Sequence, residues 1–86
     1  MICMNYMVAE LMFTVTKAIY QNGMICLYMS DKKEIRFPVE ANTKLKNATD
    51  AQRKNIQIIC GGTGLHWPDL DEDLSVTGII EGKFGY

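Results

Sequence analysis

Two apolar stretches joined by Asn22-Gly23 restrict what this chain can fold into more than any other feature. Over residues 12–20 the sequence MFTVTKAIY alternates, with Phe13, Val15 and Ile19 on one face and Thr14, Thr16 and Ala18 on the other. A period of two, carried by β-branched and aromatic residues, predicts a strand. Gln21-Asn22-Gly23 follows, and Asn-Gly accepts the positive φ angles of the type I′ turn that suits a twisted hairpin. Residues 24–29, MICLYM, are apolar on both faces, which predicts a central strand. After the polar turn Ser30-Asp31-Lys32-Lys33, a third strand is expected over 34–39. It sets Ile35, Phe37 and Val39 on one side and Glu34 and Arg36 on the other. Pro38 has no N–H for a ladder, so this strand ends there or lies at an edge.

The remainder of the chain changes period. Residues 40–48 read as a connection anchored by Leu45. Thr49-Asp50-Ala51-Gln52 matches a capping box, with Thr49 at the N-cap and Gln52 at N3, and starts a short helix. Residues 56–60 return to strand spacing, Gly61-Gly62-Thr63-Gly64 interrupts it, and Leu65-His66-Trp67 is a short extended stretch ended by Pro68. Residues 69–73 form an acidic turn. Ser75 is placed to cap a last helix through Val76, Ile79 and Ile80, which Gly82 ends. The pattern is that of an α+β fold in two layers: a three-stranded antiparallel meander, a short helix, a β-hairpin-like segment and a short C-terminal helix. A chain of 86 residues has room for one core. Residues 13–86 are therefore expected to form one domain behind a leader, residues 1–12.

That leader is apolar, but it lacks a basic start, carries Glu10 and has no small-residue cleavage site, so it does not read as a signal peptide. It also falls short of the roughly 20 apolar residues that span a bilayer, and no membrane association is expected. Cys3, Cys26 and Cys60 cannot all pair within one chain and show no CxxC spacing, which points to a reduced cytosol. Nine Lys and Arg against ten Asp and Glu give a net charge of −1. That balance excludes a polycation built to coat nucleic acid or an acidic membrane. It is also a cancellation: residues 1–60 hold eight basic and five acidic side chains, +3, and residues 61–86 hold one and five, −4.

The acidic C-terminal part holds most of the candidate chemistry. Asp69, Asp71 and Asp73 imitate the opening of a calcium loop, but the required Gly at the sixth position is Leu74 and the Glu at the twelfth is Ile80. His66 is the single histidine, and with Cys60 it offers two ligands where zinc takes four. No metal or other cofactor is expected. A Cys60–His66 nucleophile pair lacks an orienting third group and an oxyanion hole, so no catalytic residue is assigned. The glycine run 61–64 lacks the Gly-Lys-Ser/Thr ending of a phosphate loop and fits a hairpin connection. Trp67 suits either an interface anchor or a plug between sheet and last helix. Lys32, Lys33, Arg36, Lys44, Lys46, Arg53 and Lys54 make the middle of the chain basic. No nucleic-acid-binding signature accompanies them, and nucleic-acid contact by this chain alone is not expected. The acids themselves read in two ways, as a solvated turn capping the next helix or as a surface for a basic partner.

Phe37-Pro38-Val39, Leu45, Asn47-Ala48-Thr49, Gln52-Arg53, Asn55 and Ile58 form one set of matching positions. A second is the block Gly64-Leu65-His66-Trp67-Pro68-Asp69-Leu70-Asp71-Glu72-Asp73-Leu74-Ser75-Val76 with Gly78 and Gly82. Together they resemble the small prokaryotic domain of unknown function 2442 family, over about residues 13–86. The resemblance implies a compact α+β domain and no assigned activity. Some members carry an added helix-turn-helix, for which this chain is too short. Members often lie beside genes for another small domain suspected of being a toxin, which implies an antitoxin-like or partner-binding role. The chain departs from the family at Asp31-Lys32-Lys33, where members have Asp-Gly-Arg. If the Gly64–Asp73 block is a family interaction site, it falls here on His66, Trp67, Asp69, Asp71, Glu72 and Asp73. The leading expectation is a non-enzymatic interaction or regulatory module that binds a basic protein, such as a small toxin, through the acidic turn with Trp67 as anchor. The alternatives are a small metal- or ligand-binding enzyme using His66 and the acids, and a structural domain whose acids only cap a helix. A homodimer through the strand at residues 12–20 is a further expectation.

Overall fold

The computed structural model describes residues 14–85. The expected leader 1–12, with Cys3, and Phe13 of the first expected strand lie outside the described residues. The hairpin forms where the sequence places it: β1 (Val15–Gln21) pairs antiparallel with β2 (Met24–Met29), and Gln21 stands opposite Met24. Asn22 and Gly23 have φ of 51° and 77°, the doubly left-handed geometry of a type I′ turn. β3 (Glu34–Pro38) pairs with the other side of β2, so the apolar strand is central and Pro38 lies at an edge, as expected.

Within β1 the inward face differs from the simple alternation. The register slips between Val15 and Lys17, leaving Thr16 as an extra residue. The bulge reverses the phase: Val15 is buried, but Ala18 and Tyr20, not Ile19, pack on the core beyond it. Thr16 Oγ1 donates to Tyr28 O at 3.1 Å across the irregularity.

The connection expected over 40–48 contains helical turns. A 3₁₀ turn at Val39–Ala41 leads into α1 (Thr43–Lys46), whose N-cap is the buried Asn42. Leu45 is fully buried beneath it. α2 (Asp50–Lys54) carries the expected capping box, with Thr49 Oγ1 accepting from Gln52 N and Gln52 Oε1 accepting from Thr49 N.

The acidic region also departs from the expectation of a turn. β4 (Gln57–Ile59), β5 (Gly64–Trp67) and β6 (Glu72–Ser75) form a second three-stranded antiparallel sheet. Glu72 and Asp73 thus lie in a strand, and only residues 68–71 make the turn. Ser75 then caps α3 (Val76–Ile80), its Oγ accepting from Gly78 N at 2.9 Å. The cap is this hydroxyl, not the carboxylates, because the acids sit upstream in β6 with no acidic residue in the first turn of α3.

The two sheets, α1 and α3 share one core. Ile25, Leu27, Phe37, Leu45, Leu65, Trp67 and Val76 are almost wholly buried in it. Each large apolar side chain removed from water stabilises the fold by roughly 1.5–3 kcal/mol. No helix among the described residues is long and apolar enough to cross a membrane.

Candidate functional site

The β5–β6 hairpin brings the six singled-out residues into one element and divides them between its two faces. Its turn is local chemistry: Leu70 N–H donates to Trp67 O at 3.1 Å, and Pro68 takes the second position, where its fixed φ is favoured. Asp71 closes the turn with φ of 49°, a left-handed value that Asp adopts more readily than most residues.

Trp67 stands opposite Glu72 and both face inward. Trp67 is fully buried and its Nε1 donates to Arg53 O at 3.2 Å. As an exposed anchor it is therefore corrected: the indole fills the core, and its one polar atom is used within the chain. Glu72 is half-buried. Its Oε2 accepts from Asn42 Nδ2 at 2.7 Å and its Oε1 from Asp73 N at 3.1 Å.

His66 stands opposite Asp73, and Nδ1 lies 2.5 Å from Asp73 Oδ1. An ionised carboxylate only accepts, so Nδ1 carries the proton of this bond and Nε2 is left as the other ring nitrogen. Burial acts to raise the Asp73 carboxyl, but its hydrogen bond with His66 is foremost among the contacts that hold it below its ordinary value. The Cys60–His66 pair considered from sequence does not form, since Cys60 is not a free thiol and His66 turns to Asp73.

Asp69 and Asp71 remain at the exposed tip. Asn55 Nδ2 donates to Asp69 Oδ2 at 3.1 Å, and Lys44 Nζ donates to the Asp71 carbonyl at 2.9 Å. The tip is thus fixed to α1 and to the segment after α2, and both aspartates stay exposed. Among the described residues no group of three or more His, Cys, Asp or Glu side chains is placed to hold a metal.

Two residues central to this frame, Asn42 and Arg53, stand outside the six candidate site residues. Asn42 caps α1 through Oδ1, and its Nδ2 also faces Phe84 O at 2.7 Å and Gly85 O at 2.9 Å. An Asn three residues before the anchor Leu45 was the available signal. Arg53, read as part of a basic surface, is turned inward instead. Its guanidinium donates to Leu45 O, Lys46 O and Tyr20 Oη, and it lies 5.5 Å from the Tyr20 ring centre. On the opposite sheet a cleft of about 120 Å³ is lined by Gln21, Asn22, Met24, Cys26 and Arg36. It is well below the roughly 300 Å³ at which small-molecule pockets begin.

A family model described as protein of unknown function (DUF2442) matches residues 15–85. The chain is similar to a protein of unknown function from Rhodospirillum rubrum ATCC 11170, known from a crystal structure, with 32% identity and a TM-score of 0.80. That match covers 86% of this chain and 92% of the other. It is also similar to an uncharacterized protein from Chromobacterium violaceum solved by solution NMR, with 28% identity and a TM-score of 0.74, covering 85% of this chain and 69% of that one. No curated protein matches the chain.

Proposed function

The chain belongs to the DUF2442 family of proteins of unknown function, and on that premise we propose that it is a non-enzymatic interaction module whose β5–β6 tip docks on a basic partner protein. The observation that carries this reading is the exposed placement of Asp69 and Asp71 on a turn tied to the body by Asn55 at Asp69 Oδ2, Lys44 at the Asp71 carbonyl and Asn42 at Glu72. Two carboxylates on a turn whose backbone is tethered offer acceptors to Lys and Arg with a reduced ordering cost on binding. Opposite charge steers and orients the encounter more than it adds affinity. An antitoxin-like role toward a small basic toxin is the regulatory form of this reading.

The test is affinity capture from the native host with the wild-type chain and the D69K/D71K double variant. The reading expects a stoichiometric basic protein that the wild type retains, that raised salt releases, and that the variant fails to capture. Glu72 and Asp73 are left intact because both bond within the fold. Equal recovery by both chains would sink the proposal.

The His66–Asp73 pair favours a second reading, a small ligand-binding enzyme. A carboxylate that orients a histidine through Nδ1 leaves Nε2 to accept a proton from a bound molecule. This reading expects a divalent cation or metabolite to raise the melting temperature of the wild type and not of H66Q. Unchanged melting across such a panel counts against it.

A further inference from the structure

Strand β3 leaves one edge of the first sheet open. Val39 N–H donates to Gly23 O at 3.0 Å and Met29 N–H donates to Lys33 O at 2.8 Å. With Ile35 opposite Leu27 and Phe37 opposite Ile25, these bonds fix the phase of the ladder. Ile35 and Phe37 turn their backbone groups to β2, while Glu34, Arg36 and Pro38 turn theirs outward. Among the described residues no backbone hydrogen bond reaches the N–H of Glu34 or Arg36 from that side. β1, the strand first expected to form a dimer edge, is not comparable. It packs against α2 and β4, and its Tyr20 Oη bonds to Asp50 and Arg53.

We propose that the β3 edge pairs with the same edge of a second copy of this chain, antiparallel, about a two-fold axis through Ile35. In that register Glu34 of each copy exchanges both N–H···O=C bonds with Arg36 of the other, four bonds in all. Each Glu34 side chain then stands directly opposite an Arg36, a favourable cross-strand pair. The ion pair that Glu34 and Arg36 already make within one chain becomes a four-charge cluster of alternating sign. The half-buried Ile35 meets its own copy on the core-facing side.

Charge order selects this register over its neighbours. An axis through Glu34 sets carboxylate against carboxylate, and one through Arg36 sets guanidinium against guanidinium; like charges directly opposite are unfavourable. The ladder also ends itself. Pro38 has no N–H, and Lys32 N–H already donates to Met29 O at 2.9 Å in a turn with φ of 72°. Pairing therefore consumes the open edge and closes at two copies instead of propagating. A four-bond edge falls short of the roughly 1,000 Å² of a stable interface, so the dimer forms in a concentration-dependent way.

Sedimentation equilibrium of the full chain, from about 10 μM to about 1 mM, tests this over the range of weak affinities. The wild type is expected to shift from monomer to dimer, and amide exchange at Glu34 and Arg36 to slow with concentration. R36E, which opposes Glu to Glu, is expected to weaken dimerisation about tenfold, and the swapped E34R/R36E chain to recover it. Circular dichroism confirms that each variant is folded. A wild type that stays monomeric throughout overturns the proposal. So does a dimer that R36E leaves unchanged, or a folded double swap that fails to recover it.

Discussion

Asn42 Oδ1 accepts from Leu45 N–H while its Nδ2 faces Glu72 Oε2, Phe84 O and Gly85 O, so both ends of the amide are used. Aspartate keeps the acceptor that caps α1 but sets a second oxygen against a carboxylate and two carbonyls. Loss of buried donors typically costs 1–3 kcal/mol, and more beside a charge. N42D is therefore expected to lose about 2 kcal/mol or more in urea unfolding and to be at least as damaging as N42A, which loses the cap as well. Asp73 makes a prediction in pH. Its folded value lies below the ordinary 3.8 because His66 bonds to the charged form. A group depressed in this way contributes stability above its unfolded value and loses it as pH falls through the folded one. The gap between wild type and D73N in urea midpoint should thus be full near pH 6 and shrink below about pH 4. A gap that widens on acidification contradicts this.

At the scale of elements, the turn between β4 and β5 meets the start of β1 at Gly62. Its φ is 93°, and a Cβ there would stand 2.9 Å from Thr14 Cβ and 3.0 Å from Val15 O. G62A forces a left-handed alanine against backbone and is expected to cost about 2 kcal/mol or more by thermal unfolding, whereas alanine at an unstrained glycine stabilises slightly. The elements that could be read from sequence are those with a local cause. The Asn22-Gly23 turn, the Thr49–Gln52 capping box, Pro38 at an edge and the Ser75 cap each depend on residues within four positions of one another. What was not legible depends on distant partners. The bulge at Thr16 is fixed by the register of β2 and flips the face of Ala18 and Tyr20. Glu72 and Asp73 look like turn residues by composition, yet pairing with Trp67 and His66 makes them a strand. The candidate site was found as a segment for the same reason. The sorting of its acids, with Glu72 inward, Asp73 on the His66 face and Asp69 and Asp71 at the tip, arises only when that strand forms.

Across the whole molecule, the C-terminal segment joins the two sheets. The Phe84 ring stacks on Phe37 of β3 with centres 4.9 Å apart, and the carbonyls of Phe84 and Gly85 meet Asn42, which holds Glu72 of β6. Phe37 is 1% exposed, and this cover is part of the reason. Removing residues 84–86 uncovers the Phe37 ring and takes away two of the three acceptors around Asn42 Nδ2. The lost burial and stacking amount to about 2–4 kcal/mol. In a domain of this size each kcal/mol moves the melting temperature by roughly 4–8 °C, so calorimetry should show a fall on the order of 10 °C or more. The same geometry requires coupling between distant changes. With the two carbonyls gone, aspartate at position 42 faces only Glu72, so N42D should cost less in the truncated chain than in the full one. Equal costs in the two backgrounds would mean that the tail and Asn42 act independently, and that the sheets are held together without this clasp.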